Sequence, residues 1–328
     1  MPRVSPALLR ALALIALAGG CSTSSTNSGT EAAAGAGGKA SGSAPAGGQS
    51  GHDAGAGGVA GASGATDARI DAPSDGASDR GAGGAAGTSG ACKRGIATNT
   101  APGAAFFPSV GWWYDWSPRV AGAGSALEFD PMIWGSMDLN ATLPALTRYL
   151  LGFNEPNFHA QSNLTAQQAA ADWPMLEAKA TAASAALVSP AVNFCGPATS
   201  CNGTSPYQYL RDFFAACAGC RVDHIAVHWY NCDLPSLVDY LEPGGSLEGF
   251  EQFGKPIWLT EFSCDGTKTA ADQEAFMRAA IPYLESNPHV FRYSWFSADP
   301  IPNARLVNSD GSPTALGQVY VSLPGGCH

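Results

Sequence analysis

Pro256-Ile257-Trp258-Leu259-Thr260-Glu261-Phe262 is apolar almost without a break until its glutamate. A strand with one wet face alternates apolar and polar residues. A strand buried on both faces reads as a continuous apolar run, as in a parallel sheet. Leu150-Leu151-Gly152-Phe153-Asn154-Glu155-Pro156 has the same form and also ends in a glutamate. Working outward from these two, similar runs occur at 94–98, 110–114, 129–134, 150–154, 187–192, 224–230, 256–261 and 290–296. The later intervals carry helical periodicity at 165–186, 206–217, 234–253 and 270–286, with Thr165 as an N-cap and Gln168 three residues on. The early intervals are short and rich in Pro and Gly, so the first helices are expected to be reduced or absent. Strand–helix alternation of this kind predicts an α/β fold, a compact (β/α)8 TIM-type barrel. The rival is an open doubly wound sheet. No Gly-x-Gly-x-x-Gly follows a strand and there is no Walker lysine loop, so nucleotide binding has no support.

The 328 residues are not uniform in composition. The chain carries 17 Lys and Arg against 27 Asp and Glu, a net charge of -10. A nucleic-acid surface needs a cationic excess on some face, so the balance argues against that partner. Residues 1–20 place Arg3 and Arg10 before an apolar run from Ala11 to Ala18 and end in Gly19 and Gly20. These are the parts of a signal peptide, too short to span a bilayer. The stretch up to Cys21 resembles a bacterial lipoprotein signal, with Cys21 lipidated; plain secretion is the alternative. Residues 22–91 hold 19 Gly and no Phe, Trp, Tyr, Leu, Met or Cys. Such a segment cannot bury enough apolar surface to offset its ordering entropy. It is expected to be a disordered tether with a mean reach of roughly 45 Å.

Residues 92–328 contain all 8 Trp and form one expected domain. Of the 9 Cys, eight lie there, an even number that suits an exported, oxidised chain. The expected pairs are Cys92 with Cys327, Cys195 with Cys201, Cys217 with Cys220, and Cys232 with Cys264. A redox or zinc role for Cys217-x-x-Cys220 lacks a matching context.

In a barrel the reactive groups sit at the C-terminal ends of the strands. Glu155 and Glu261 stand there, each directly after an apolar run. A buried ionised carboxylate is costly unless paired or hydrogen-bonded. Either glutamate could also simply mark where its strand meets water. The chemistry that needs two carboxyl groups on facing strands is glycoside hydrolysis: one protonates the leaving oxygen, the other attacks or activates water. Their environments must keep one protonated and the other ionised. Trp113, Trp134, Trp229 and Trp295 stand near the same strand ends and could stack on sugars or belong to the core.

The segments Gly152-Phe153-Asn154-Glu155-Pro156 and Trp258-Leu259-Thr260-Glu261-Phe262 look like the acid/base and nucleophile strands of the large clan of retaining (β/α)8 glycosidases. The domain more narrowly resembles glycoside hydrolase family 128. The matching stretches are Lys93-Arg94-Gly95, Val110-Gly111-Trp112-Trp113-Tyr114, Pro131-Met132-Ile133-Trp134-Gly135, Gly219 to Tyr230, and Thr314-Ala315-Leu316-Gly317-Gln318. The resemblance implies an endo-acting, retaining β-1,3-glucanase. Glu155 would be the acid/base, Glu261 the nucleophile, and Asn154 a ligand of the sugar 2-hydroxyl. His228 and Tyr230 lie two apart on one strand and share a face, expected to point into the mouth near Glu261. Trp295 would floor the subsite of the reacting sugar. Trp113 and Tyr114 compete for one inward position. Asn157 stands where relatives often carry Asp; Asp233 and Asp265 could line subsites or cap loops. No metal or organic cofactor is expected, and the chain is expected to act as a monomer. A glycan-binding envelope protein on the same barrel, or a barrel glycosidase of another β-linkage, are the alternatives.

Overall fold

The computed structural model describes residues 92–119 and 125–327. The signal, Cys21 and the tether expected at 22–91 lie outside the described residues. Eight strands follow in chain order: β1 (Arg94–Ala97), β2 (Trp112–Tyr114), β3 (Glu128–Phe129), β4 (Tyr149–Leu151), β5 (Ala186–Val192), β6 (His224–Trp229), β7 (Ile257–Phe262) and β8 (Val290–Phe296). Their order is β3-β2-β1-β8-β7-β6-β5-β4, and every neighbouring pair is parallel. Backbone bonds span the two edges: Leu151 N–H donates to Pro131 O (2.9 Å), and Ile133 N–H to Leu151 O (3.0 Å). The result is an α/β barrel. The third strand is shorter than expected because Pro131 has no N–H to give the ladder; beyond it only Met132 makes a bridge, to Leu151. At Gly152 a Cβ would come within 2.8 Å of the Val188 and Ser189 carbonyls, so glycine lets β4 close on β5.

The helices are α1 (Ala166–Ala183), α2 (Pro206–Ala216), α3 (Leu234–Leu241), α4 (Ala270–Ser286) and α5 (Ala315–Ser322). Thr165 and Gln168 form a full capping box on α1, and Thr269 with Asp272 does the same for α4. The helix expected at 234–253 stops at Leu241, since Pro243-Gly244-Gly245 cannot continue it; a 3-10 turn, Phe250–Phe253, follows. Before β4 the described connections hold only 3-10 turns, Ala104–Phe106 and Ser136–Asp138.

One end of the barrel interior is filled. The Arg292 guanidinium lies 4.3 Å from the Tyr149 ring centroid and 5.0 Å from that of Trp258. It donates to Asp130 (2.7 Å) and Glu128 (2.9 Å). Arg292, Tyr149, Trp258 and Glu128 stand near the starts of their strands, so this plug closes the N-terminal end and leaves chemistry to the other. Four disulfides join Cys92–Cys327, Cys195–Cys201, Cys217–Cys220 and Cys232–Cys264, the same pairs that the sequence suggested.

Candidate active site

Parity along the strands decides which side chains enter the open end. In β7, Trp258 points inward to Arg292. Strict alternation would then send Thr260 inward and Glu261 outward. The pairing with β6 runs Val227 to Leu259 and then His228 to Glu261, so Thr260 is an extra residue. That bulge reverses the parity. Glu261 turns into the barrel, and Phe262 turns out against Phe276 and Trp295.

Glu155 is held differently. It follows Asn154, which bridges Ala191 of β5, and its N–H donates to Ala191 O (2.8 Å). Its backbone has φ +38°, a left-handed conformation rare for residues other than glycine. Asn157, two residues on, donates from Nδ2 to Asn193 O (2.8 Å) and Gly203 O (3.0 Å), tying this turn to the segment after β5.

The two carboxyl groups meet at His228. Its Nδ1 lies 2.9 Å from Glu155 Oε1 and 3.3 Å from Glu261 Oε2. All three side chains are buried. Glu261 is also held by the Tyr230 hydroxyl, which donates to Oε2. Trp116 Nε1 donates to Oε1 at 2.6 Å, and Tyr114 Oη lies 3.2 Å from the same oxygen. Burial pulls the His228 imidazole down, but the Glu261 charge and the Glu155 hydrogen bond outweigh it, so its pKa lies above the usual 6.5. For Glu261, burial pushes the carboxyl up and the Glu155 charge adds to this. The His228 charge and the Tyr230 and Trp116 bonds pull the other way without cancelling it.

Asn154 gives one amide bond to Gln161 Oε1 (3.3 Å). Its Oδ1 and His228 Nε2 have no partner among the described residues. Two buried polar atoms beside the carboxyl pair are therefore open to a ligand. Glu155, His228 and Glu261 each offer one ligand atom, all within 4.8 Å of one another, a spacing that a divalent cation could also use.

The structure thus brings together Glu155, Glu261, Asn154, His228 and Tyr230. It does not bring Trp295 or Trp113 with them. Arg292 of β8 points inward, so Ser294 and Phe296 do too, and Trp295 faces out. Its Nε1 donates to Ala304 O (2.8 Å), and its ring packs on Phe262 and Tyr320. By the same parity Tyr114 is the inward residue of β2, while Trp113 packs on Phe129. Trp134, 7% exposed, stands at the seam with its carbonyl accepting from Asn154 N–H. Trp229 packs on Tyr240. Asp233 caps α3 through Ser236 N–H, and Asp265 closes a turn on Thr267. Trp116, Gln161 and Phe296 are additions to the site. The 112, 114, 116 alternation carries the signal for Trp116, although it lies beyond the strand.

The family model described as the glycosyl hydrolase catalytic core matches residues 95–320. The chain is 41% identical to a GH128 (subgroup II) endo-beta-1,3-glucanase from Sorangium cellulosum, covering 71% of this chain and 99% of that one, with a TM-score of 0.63. It is 28% identical to a glutamate variant of a GH128 (subgroup I) endo-beta-1,3-glucanase from Amycolatopsis mediterranei, solved with laminarihexaose. That match covers 71% of this chain and 99% of the other, with a TM-score of 0.57. Among curated proteins it is 29% identical over 235 residues to alkali-sensitive linkage protein 1 of Schizosaccharomyces pombe, covering 65% of this chain. The matched region spans only 40% of that relative's length.

Proposed function

Because the chain belongs to the glycosyl hydrolase catalytic-core family, within glycoside hydrolase family 128, and is thereby a glycosidase, we propose that it cleaves internal bonds of β-1,3-glucan with retention of configuration. The observation that carries this reading is the buried Glu155–His228–Glu261 cluster at the open end of the barrel. An oxygen of each glutamate lies within 4.8 Å of the other. Retaining enzymes hold their carboxyl groups about 5–5.5 Å apart, whereas inverting enzymes leave roughly 6.5–9.5 Å for a water.

In the first half of the reaction Glu261 attacks the anomeric carbon while Glu155 gives its proton to the departing glycosidic oxygen. The C–O bond breaks and a glycosyl ester forms on Glu261. In the second half Glu155 takes a proton from water. The water oxygen bonds the anomeric carbon, and the electron pair of the ester bond returns to Glu261. Asn154 Oδ1 and His228 Nε2 are the atoms offered to sugar hydroxyls, contacts that count most if they tighten in the transition state. The test is functional: purified full chain is incubated with linear β-1,3-glucan, beside Glu155→Gln, Glu261→Ala and a β-1,4-glucan control. Oligosaccharides from the wild type alone, and from the β-1,3 polymer alone, are expected, with EDTA leaving the rate unchanged. Activity restored by a divalent cation after EDTA would instead assign the trio to a metal.

Four disulfides require an oxidising compartment to form, in keeping with an exported chain. We further propose that Cys21 is lipidated and that 22–91 tethers the enzyme to the cell envelope. Metabolic fatty-acid labelling that persists in Cys21→Ser would refute the anchor.

A further inference from the structure

Glu261 is held on both oxygens, and its donors differ in kind. Tyr230 and His228 serve Oε2. On Oε1, Tyr114 Oη divides its contact between the carboxylate (3.2 Å) and Thr260 O (3.1 Å). Trp116 Nε1 makes the shorter bond to Oε1, 2.6 Å. Trp116 is 2% exposed and lies two residues after β2, with its backbone at φ +59°. A bulky residue keeps a left-handed backbone only where its surroundings over-determine it. Here the ring stands 5.3 Å from Tyr114 and 5.6 Å from Phe296, centroid to centroid, both of them inward residues of the barrel mouth. Tyrosine and histidine can exchange the proton they offer. An indole N–H is a donor only, so Trp116 stays a donor whatever the pH, and only the charge on Glu261 changes the strength of the bond.

We propose that Trp116 is a positioning residue for the nucleophile, its indole N–H fixing Glu261 Oε1 and meeting the negative charge of the attacking carboxylate. This rests on the reading of Glu261 as the nucleophile. A hydrogen bond to an ionised oxygen is stronger than one to a neutral one. The bond therefore favours the ionised resting carboxylate before attack. It strengthens again as the glycosyl ester breaks and charge returns to Glu261. Among the described residues, the titratable groups facing Glu261 are His228 from β6, Tyr230 directly after it, Tyr114 from β2 and Glu155 from the turn after β4. Trp116 is the neutral, non-exchanging donor among them.

The test uses the full chain with Trp116 replaced by its benzothienyl isostere, in which sulfur takes the place of the N–H, and Trp116→Phe as a second variant. Trapping with 2-deoxy-2-fluorolaminaribiosyl fluoride, followed by peptide mass mapping, reads the nucleophile directly. In the wild type the label is expected on Glu261. In the isostere kcat is expected to fall about tenfold or more with KM little changed. The acid limb of kcat/KM should move up by about one pH unit, because the ionised carboxylate has lost a donor. An isostere with wild-type kcat and an unmoved acid limb overturns the proposal, and so does loss of activity confined to Trp116→Phe, which would make the ring a packing element. A label found on another residue removes the nucleophile reading itself, and the proposal with it.

Discussion

Replacing His228 with glutamine removes the one cation between two buried carboxyl groups, and the consequence can be sized. With one oxygen of each glutamate within 4.8 Å of the other, two full charges repel by about 3.5 kcal/mol at an effective dielectric of about 20. That is equivalent to roughly 2.5 pH units on a shared titration. The imidazolium, 2.9 Å and 3.3 Å from the two oxygens, offsets that repulsion. Glu261 is already raised by burial. Without His228 it rises further, and the acid limb of kcat/KM moves to higher pH by about 2 units. The assay is the initial rate of reducing-end release across the acid and neutral range, for the wild type and His228→Gln. Stability gives a second reading. A histidine whose pKa is raised on folding contributes stability in full below its unfolded value near 6.5, and that contribution is lost as pH rises through the folded value. Wild-type Tm should therefore fall as pH climbs above 6.5, and this component of the fall should be missing from the variant. A folded His228→Gln protein with an unmoved acid limb would refute the electrostatic role given to the imidazole.

Two further outcomes concern the scaffold. Cys92–Cys327 closes a loop with a sequence separation of 235. The chain-entropy estimate for such a loop is about 5 kcal/mol, so the double Cys→Ser variant should melt at least roughly 10 °C lower; an unchanged melting curve would show that the bond does not restrain the unfolded chain. Asn157 donates to two carbonyls, which an ionised aspartate cannot do. Asn157→Asp should therefore cost about 2 kcal/mol or more at neutral pH, and less in acid where the carboxyl regains a proton. Denaturant unfolding at both pH values checks this, and equal losses at both would count against it.

The barrel was legible because strands buried on both faces read as continuous apolar runs. The runs around Leu150 and Ile257 ended where the structure places Glu155 and Glu261. Alternation also placed His228 and Tyr230 on one face, since β6 keeps its period from His228 onward. Other details depended on contacts that no local pattern carries. The bulge at Thr260 is visible only in the pairing of β6 with β7, and it decides which way Glu261 points. Trp295 sits beside an inward Phe296, and only the inward Arg292 fixes which of the two faces the mouth. Trp116 continues the 112, 114, 116 alternation, but it lies outside the strand, and the left-handed backbone that brings its indole to Glu261 has no sequence signal. After β6 the apolar spacing continues through Pro243-Gly244-Gly245, where a helical backbone cannot follow, so the helix ends at Leu241 although the period runs on.

The most direct measurement is the anomeric configuration of the first product, read by proton NMR while the full chain cleaves a soluble β-1,3-oligosaccharide. A double displacement through Glu155 and Glu261 predicts that the β-anomer appears first and then mutarotates. Initial release of the α-anomer would mean a single displacement by water, and would contradict Glu261 as the nucleophile.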